Sequence, residues 1–301
     1  MISGIPIPTL LAWASETGIK KRVAAVVKPC EARAIVELAK FKQVDIDKVL
    51  IVSCDCIGTF HVLKYKEMLE RGESPLDKAL NAVKTLDFSE FRDACKACLT
   101  VKPPTYDLNL AFIGEVRVEA GSKAGVEALR KTGLNPVNIE ERPIIREITE
   151  LKRKNREELK ALTEKEVCGV KKLNEFFKDC ISCHNCMETC PICYCKECFL
   201  DSERYDYMAK AFFSWQYGEG LKPLLENKVQ FHIGRAIHMS TSCVTCGLCE
   251  QACPQEVKLA RFFMLLADSN QSLFNYYPGR RLDEKPPVQE FKPEELAEFV
   301  G

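Results

Sequence analysis

Two stretches decide how this chain is read: CISCHNCMETCPICYCKEC at 180–198 and CVTCGLCEQACP at 243–254. Each contains cysteines spaced C-x2-C-x2-C-x3-C and closed by proline. They are Cys180, Cys183, Cys186 and Cys190 before Pro191, and Cys243, Cys246, Cys249 and Cys253 before Pro254. This is the ligand spacing of bacterial ferredoxins. Three thiolates of one compact loop reach three corners of a [4Fe–4S] cubane. The fourth cysteine, turned away by its proline, serves the other cluster. The expected ligand sets are therefore Cys180, Cys183, Cys186 and Cys253 for one cluster, and Cys243, Cys246, Cys249 and Cys190 for the other. Zinc also takes four thiolates, but commonly from two C-x2–4-C knuckles across a spacer. The third loop cysteine and the closing Cys-Pro have no use in such a site, and here the pattern occurs twice.

The remaining cysteines extend the theme. The chain has 17 in 301 residues, most in tight C-x-x-C or C-x-C groups. Cys193, Cys195 and Cys198 continue the first block. They either help ligate a further cluster with a ligand from elsewhere, or shield the first cluster, or contact a partner subunit. An N-terminal group comprises Cys30 in KPC, Cys54 and Cys56 in CDC, and Cys95 and Cys98 in ACKAC. Loops at adjacent strand ends could bring four of these thiols together, so an additional [4Fe–4S] cluster is expected here. Cys95 and Cys98 are its firmest members, and Cys54 and Cys56 need not both be ligands. Cys168 stands alone in a charged helical segment and reads as a free or structural thiol.

Composition narrows the class. Lys plus Arg number 43 and Asp plus Glu 43, so no basic excess marks a nucleic-acid surface. Hydrophobic residues make up 46%, enough for a packed core. A disulfide scaffold would suit a small secreted chain. The opening MISGIPIPTLLAWASETG has no early Lys or Arg and is broken by Pro6 and Pro8, a poor secretory signal. No apolar run approaches the ~20 residues of a membrane span. These features predict a soluble, cytoplasmic protein whose thiols are available for metal.

The first part of the chain reads as α/β. RVAAVV at 22–27 and KVLIVS at 48–53 are strand-like, and CEARAIVELAKF at 30–41 has helical spacing between them. This is a βαβ unit with both cysteine loops directly after strands, where ligand sites of parallel sheets gather. NLAFIG at 109–114 predicts another strand, and 122–132 a helix opening on GSKAG, a weak anion-site candidate. Lys28 and Arg33 flank Cys30, and either hold a flavin phosphate or another anion or are simply solvated. No dinucleotide-binding fingerprint or P-loop accompanies them. The charged stretch 142–172 predicts a solvated connecting helix. Residues 201–238 read as mostly helical and outside the cluster core, and 257–275 as a further helix. The Pro- and charge-rich end is either an arm lying on a partner or disordered. His184, inside the first cluster loop, could tune its cluster by hydrogen bonding. His232 and His238 read as packing residues, and His61 carries no special signal.

VVKPCEARAIVELAKFKQVDIDKVLIVSCDCIGTF, the later ACKAC, and the two ferredoxin blocks together resemble one family, over roughly residues 21–258. It is the beta-subunit family of deazaflavin (coenzyme F420) hydrogenases and formate dehydrogenases. The resemblance is closest to a cluster-rich branch that works beside heterodisulfide-reductase-like or formate dehydrogenase subunits. It implies a flavin-bearing α/β domain joined to a two-cluster ferredoxin module, passing electrons between a hydride carrier and partner subunits.

The expected organisation is an α/β domain over 1–140 with a mostly parallel sheet of βαβ units and its own cysteine site. A charged helical linker over 141–175 follows. A mostly helical split 2[4Fe–4S] ferredoxin-like module with a helical insertion spans 176–270, and an extended tail 271–301. The expected function is an electron-transfer subunit of a multi-subunit oxidoreductase complex. It would hold at least two [4Fe–4S] clusters and one or two more, with hydrogenase, formate dehydrogenase or heterodisulfide-reductase-like partners. One alternative is a flavoprotein subunit that binds FAD and itself splits hydride pairs. The other is a zinc scaffold.

Overall fold

The computed structural model describes residues 7–16, 18, 21–135, 142–201 and 227–290. Helix α1 (Ile7–Glu16) leads to strand β1 (Val23–Val27), helix α2 (Pro29–Lys40) and strand β2 (Val49–Cys54). Strand β3 (Leu108–Ala111) and strand β4 (Arg117–Ala120) complete a four-stranded sheet in the order β1-β2-β3-β4. The first two pairings are parallel, with Val23 opposite Val49 and Val52 opposite Leu108. The expected mostly parallel βαβ sheet is thus present. The edge strand β4, antiparallel to β3, was not expected from the sequence.

Pro29 starts α2 where a missing N–H costs nothing, and the Glu31 carboxylate accepts from the Lys28 N–H at 2.9 Å. One face of α2 buries Ala32, Ile35, Val36 and Leu38 against the sheet and α1. Along β2 buried and half-buried residues alternate, as a strand with one covered face requires. Because β1 and β2 run parallel, Cys30 and Cys56 emerge at the same edge of the sheet.

Helices α3 (Val62–Glu70) and α4 (Pro75–Thr85) follow the CDC loop, and a short helix α5 (Asp93–Lys96) carries Cys95. Helix α6 (Lys123–Lys131) forms within the stretch expected to be helical. Helix α7 (Pro143–Val167) differs from its reading as a solvated connector. It buries Ile148, Lys152, Arg156 and Thr163. Lys152 Nζ donates to the Ile57 carbonyl at 2.7 Å, and Arg156 Nη1 to the Ala97 carbonyl at 2.8 Å. Lys152 directs its ammonium at a loop carbonyl, and Arg156 pairs with the Asp268 carboxylate as well as the Ala97 carbonyl, so charge density did not mean exposure. The helix brackets the loops that hold the N-terminal cysteines.

The third layer is helical. After α8 (Val170–Phe176) come α9 (Asn185–Glu188), α10 (Asn227–Met239), α11 (Leu248–Gln251) and α12 (Leu259–Leu273). Their core joins Phe177, Met187, Phe231, Phe262 and Phe263 with Cys186, Cys190, Cys243 and Cys249. Residues 202–226 of the stretch 201–238 lie outside the described residues, and 227–238 form nearly all of α10. The chain beyond α12 returns to α2. Glu37 accepts from Tyr276 Oη at 2.7 Å and from the Gly279 N–H at 3.0 Å. The described part of the expected tail therefore lies on its own chain, and 291–301 fall outside the described residues. No helix among the described residues is long and apolar enough to cross a membrane.

Candidate metal centres

The two ferredoxin-type loops share one backbone device. In each, the residue before the second cysteine and the residue after it take left-handed conformations. They are Ser182 (φ 52°) and His184 (φ 58°) in the first loop, Thr245 (φ 53°) and Gly247 (φ 70°) in the second. Such turns curl the chain around a concavity, the geometry of backbone nests. The short helices α9 and α11 then leave the two loops and pack against one another.

The thiols separate into groups. Cys180, Cys183, Cys186 and Cys253 line one cavity with His184, Phe231, His232 and Pro254. Burial pushes the Cys186 thiol up to about 11, with Cys180, Cys183 and Cys253 adding repulsion. Cys190, Cys243, Cys246 and Cys249 form the next group. Burial pushes Cys243 up to about 11, with Cys190 raising it further. Cys246 and Cys249 are pushed higher still, by burial and by the other members of the group. Thiols crowded this way resist ionising alone and release protons readily to a cationic metal core.

The N-terminal group resolves the same way. Burial raises Cys56, and its charged neighbours are Cys30, Cys95 and Cys98. Cys54, the last residue of β2, is raised by burial and faces Asp55, Glu31 and Lys28 instead. Between them Asp55 is fully committed. Its carboxylate pairs with Arg142 and accepts from the Phe112 and Ile113 N–H groups at 2.9 and 3.1 Å. This anchor fixes the direction in which Cys56 leaves the sheet. Burial would raise Cys95, but Arg92 and the Thr59 N–H outweigh it and hold the thiol at about 7.

Arg92 also joins this group to the second ferredoxin loop. Its guanidinium reaches Cys95 Sγ and the Cys246 and Gly247 carbonyls, each at 3.4 Å, and Gln251 Oε1 at 2.6 Å. After burial, Cys246 is the strongest influence on Cys30.

Other sequence candidates land elsewhere. Cys193, Cys195 and Cys198 line a cavity with Trp13, Arg235 and His238. Cys193 donates towards Cys190, which lowers the Cys190 thiol and raises Cys193. Cys168 is exposed beyond α7. Lys28 is held by Glu31 at 3.7 Å. Arg33 is buried over the Tyr277 ring and donates to Pro278 O at 2.8 Å, Val244 O at 3.2 Å and Thr100 Oγ1 at 3.3 Å. It clamps the second loop to the N-terminal site. His184 stacks on Phe231, with ring centroids 4.2 Å apart.

Three site residues carried no usable sequence signal: Arg92, His232 and Arg235. His232, read as packing, does stack on Phe177, but its Nε2 also lies 3.5 Å from Cys180 Sγ. Only the helical spacing from Arg92 to Cys95 hinted at a contact.

All 17 cysteines are free of disulfides. Among the described residues, no three Cys, His, Asp or Glu side chains converge closely enough for one metal ion.

Comparisons with known proteins agree with this chemistry. The 4Fe-4S dicluster domain model matches residues 175–257. The F420-dependent formate dehydrogenase subunit beta of Methanocaldococcus jannaschii is 28% identical over 297 residues, 86% of this chain and 74% of that protein. The F420-dependent formate dehydrogenase 1 subunit beta of Methanococcus maripaludis is 28% identical over 307 residues, 89% of this chain and 75% of that protein. The chain thus contains a region matching a 4Fe-4S dicluster domain and is similar over most of its length to beta subunits of F420-dependent formate dehydrogenases.

Proposed function

We propose that this chain is the iron–sulfur electron-transfer subunit of a multi-subunit cytoplasmic oxidoreductase complex and holds three [4Fe–4S] clusters in sequence. The first ligand set is Cys180, Cys183, Cys186 and Cys253. The second is Cys190, Cys243, Cys246 and Cys249. The third is Cys30, Cys56, Cys95 and Cys98. The observation that carries this reading is the gathering of Cys180, Cys183, Cys186 and Cys253 round one cavity, next to the second ferredoxin loop, which Arg92 in turn ties to Cys95. A [4Fe–4S] group supplies one-electron transfer with the charge spread over its core.

The protein's own residues do the rest. The α/β part (1–140) presents the third set at the carboxyl ends of β1 and β2. The helical stretch 141–175 braces that set through Lys152 and Arg156. The part at 176–270 holds the first and second sets, with one cysteine exchanged between its loops. The described part of the final stretch, up to residue 290, closes over α2 through Tyr276 and Gly279. Partners would be further redox subunits of hydrogenase, formate dehydrogenase or heterodisulfide-reductase-like type.

A second reading adds FAD, with this subunit itself converting hydride pairs into single electrons. A cavity lined by Tyr276 and Tyr277, whose rings suit a flat cofactor, favours it. The relatives' names, which specify F420 dependence, point the same way.

The test is anaerobic purification followed by iron, sulfide and flavin analysis. About twelve irons and twelve sulfides per chain are expected. About eight would make the N-terminal thiols structural. Stoichiometric flavin would favour the second reading, and zinc without sulfide would overturn both.

A further inference from the structure

Arg235 lies in the middle of α10, 1% exposed, with its guanidinium 4.6 Å above the Phe263 ring. None of its three nitrogens has an oxygen or nitrogen partner among the described residues, and the acceptor beside it is the Cys193 sulfur. Its strongest charged neighbours are thiols: Cys190, then Cys193, Cys186 and Cys249. Arginine cannot shed its proton to escape such a place. A buried cation without a counter-charge is strongly destabilising, so the fold must supply anionic acceptors there.

The neighbouring thiols span two ligand sets. Cys186 belongs to the first, Cys190 and Cys249 to the second, and Cys193 to neither. Both sets become anionic when they hold clusters, and each gains one more negative charge on reduction. We propose that Arg235 is a positioning residue shared by the two ferredoxin-type clusters. It donates N–H hydrogen bonds to sulfur of both, and its fixed charge raises both reduction potentials together. The inference rests on the cluster assignment above.

Sharing has a functional consequence. A cation placed beside one cluster would separate the two potentials and slow passage in one direction. A cation between them moves both by similar amounts, so electrons can cross the pair either way.

The test is a redox titration of the anaerobically purified full chain, followed by electron paramagnetic resonance, for the wild type, Arg235→Gln and Arg235→Lys. In Arg235→Gln with full iron content, both ferredoxin-type midpoints should fall. Each should shift by a tenfold change in its one-electron equilibrium, about 59 mV. Arg235→Lys, which keeps the charge but loses the fork, should recover at least half of that shift at both. A fall at one cluster only, or at neither, overturns the proposal. If Arg235→Gln fails to assemble, Arg235→Lys decides. Assembly with both midpoints within about 30 mV of wild type, half of the tenfold shift, supports the charge role, and a larger fall at either cluster or failure to assemble overturns it. Wild-type protein without iron and sulfide would sink the cluster reading itself, an outcome separate from these.

Discussion

Arg92 donates to the carbonyl of Cys246 at 3.4 Å, although 154 residues of chain separate them. The same guanidinium holds Cys95 Sγ. One side chain thus ties the N-terminal thiols to the second ferredoxin loop, and the two sites form one joint rather than two independent centres.

Arg92→Met should loosen that joint. Residues that orient metal ligands typically carry 10–100-fold in metal affinity, so the third set should release iron to a chelator about 10–100-fold faster. Release from the first set should be unchanged. Equal release rates in variant and wild type at all sets would show that Arg92 is only packing.

The ligand sets predict unequal cysteine effects. Cys56→Ser and Cys246→Ser should each lose about four irons per chain. Cys54→Ser and Cys168→Ser should keep the full complement. Iron and sulfide analysis of the four variants decides, and four irons lost from Cys168→Ser would show the assignment to be wrong.

Asp55 predicts an acid sensitivity. Burial would raise its pKa, but hydrogen bonds from Arg142, Ile113 and Phe112 outweigh this and lower it. A carboxylate with a depressed folded pKa adds stability that is full above its unfolded value of about 3.9. That stability disappears as pH falls through the folded value. Asp55→Asn should cost about 3 kcal/mol at pH 7, because it leaves the buried Arg142 only the more distant Glu119 carboxylate, at 3.9 Å, as a counter-charge. The gap between wild type and variant in urea unfolding should close below about pH 4. A gap independent of pH would remove Asp55 as its source.

Gly247 sits at φ +70°, and a Cβ there would run into the Ala94 side chain. Gly247→Ala combines left-handed strain with overpacking, about 3 kcal/mol in all. Gly169 has φ +92° but nothing within 4 Å of an added Cβ, so Gly169→Ala should cost only about 1 kcal/mol of strain. Similar thermal midpoints for the two variants would mean that the contact between α5 and the second loop yields freely.

The sequence by itself determined the chemistry and much of the fold. Ferredoxin spacing is a local property: three thiols within one loop reach one cubane, so cysteine positions alone marked a dicluster domain. The βαβ unit was legible for a similar reason, since β-branched runs and a helical period are written into consecutive residues. Tertiary structure decided what depends on distant residues. It separated Cys56 from Cys54, because Asp55 is fixed by Arg142 from far along the chain. It buried Lys152 and Arg156 of a helix that charge density marks as solvated, because loop carbonyls beside the cysteines needed donors. It brought Arg92 and Arg235 among the thiols, a placement no linear motif records. Electrostatic neighbourhoods are set by which elements pack together, and packing is a property of the whole chain.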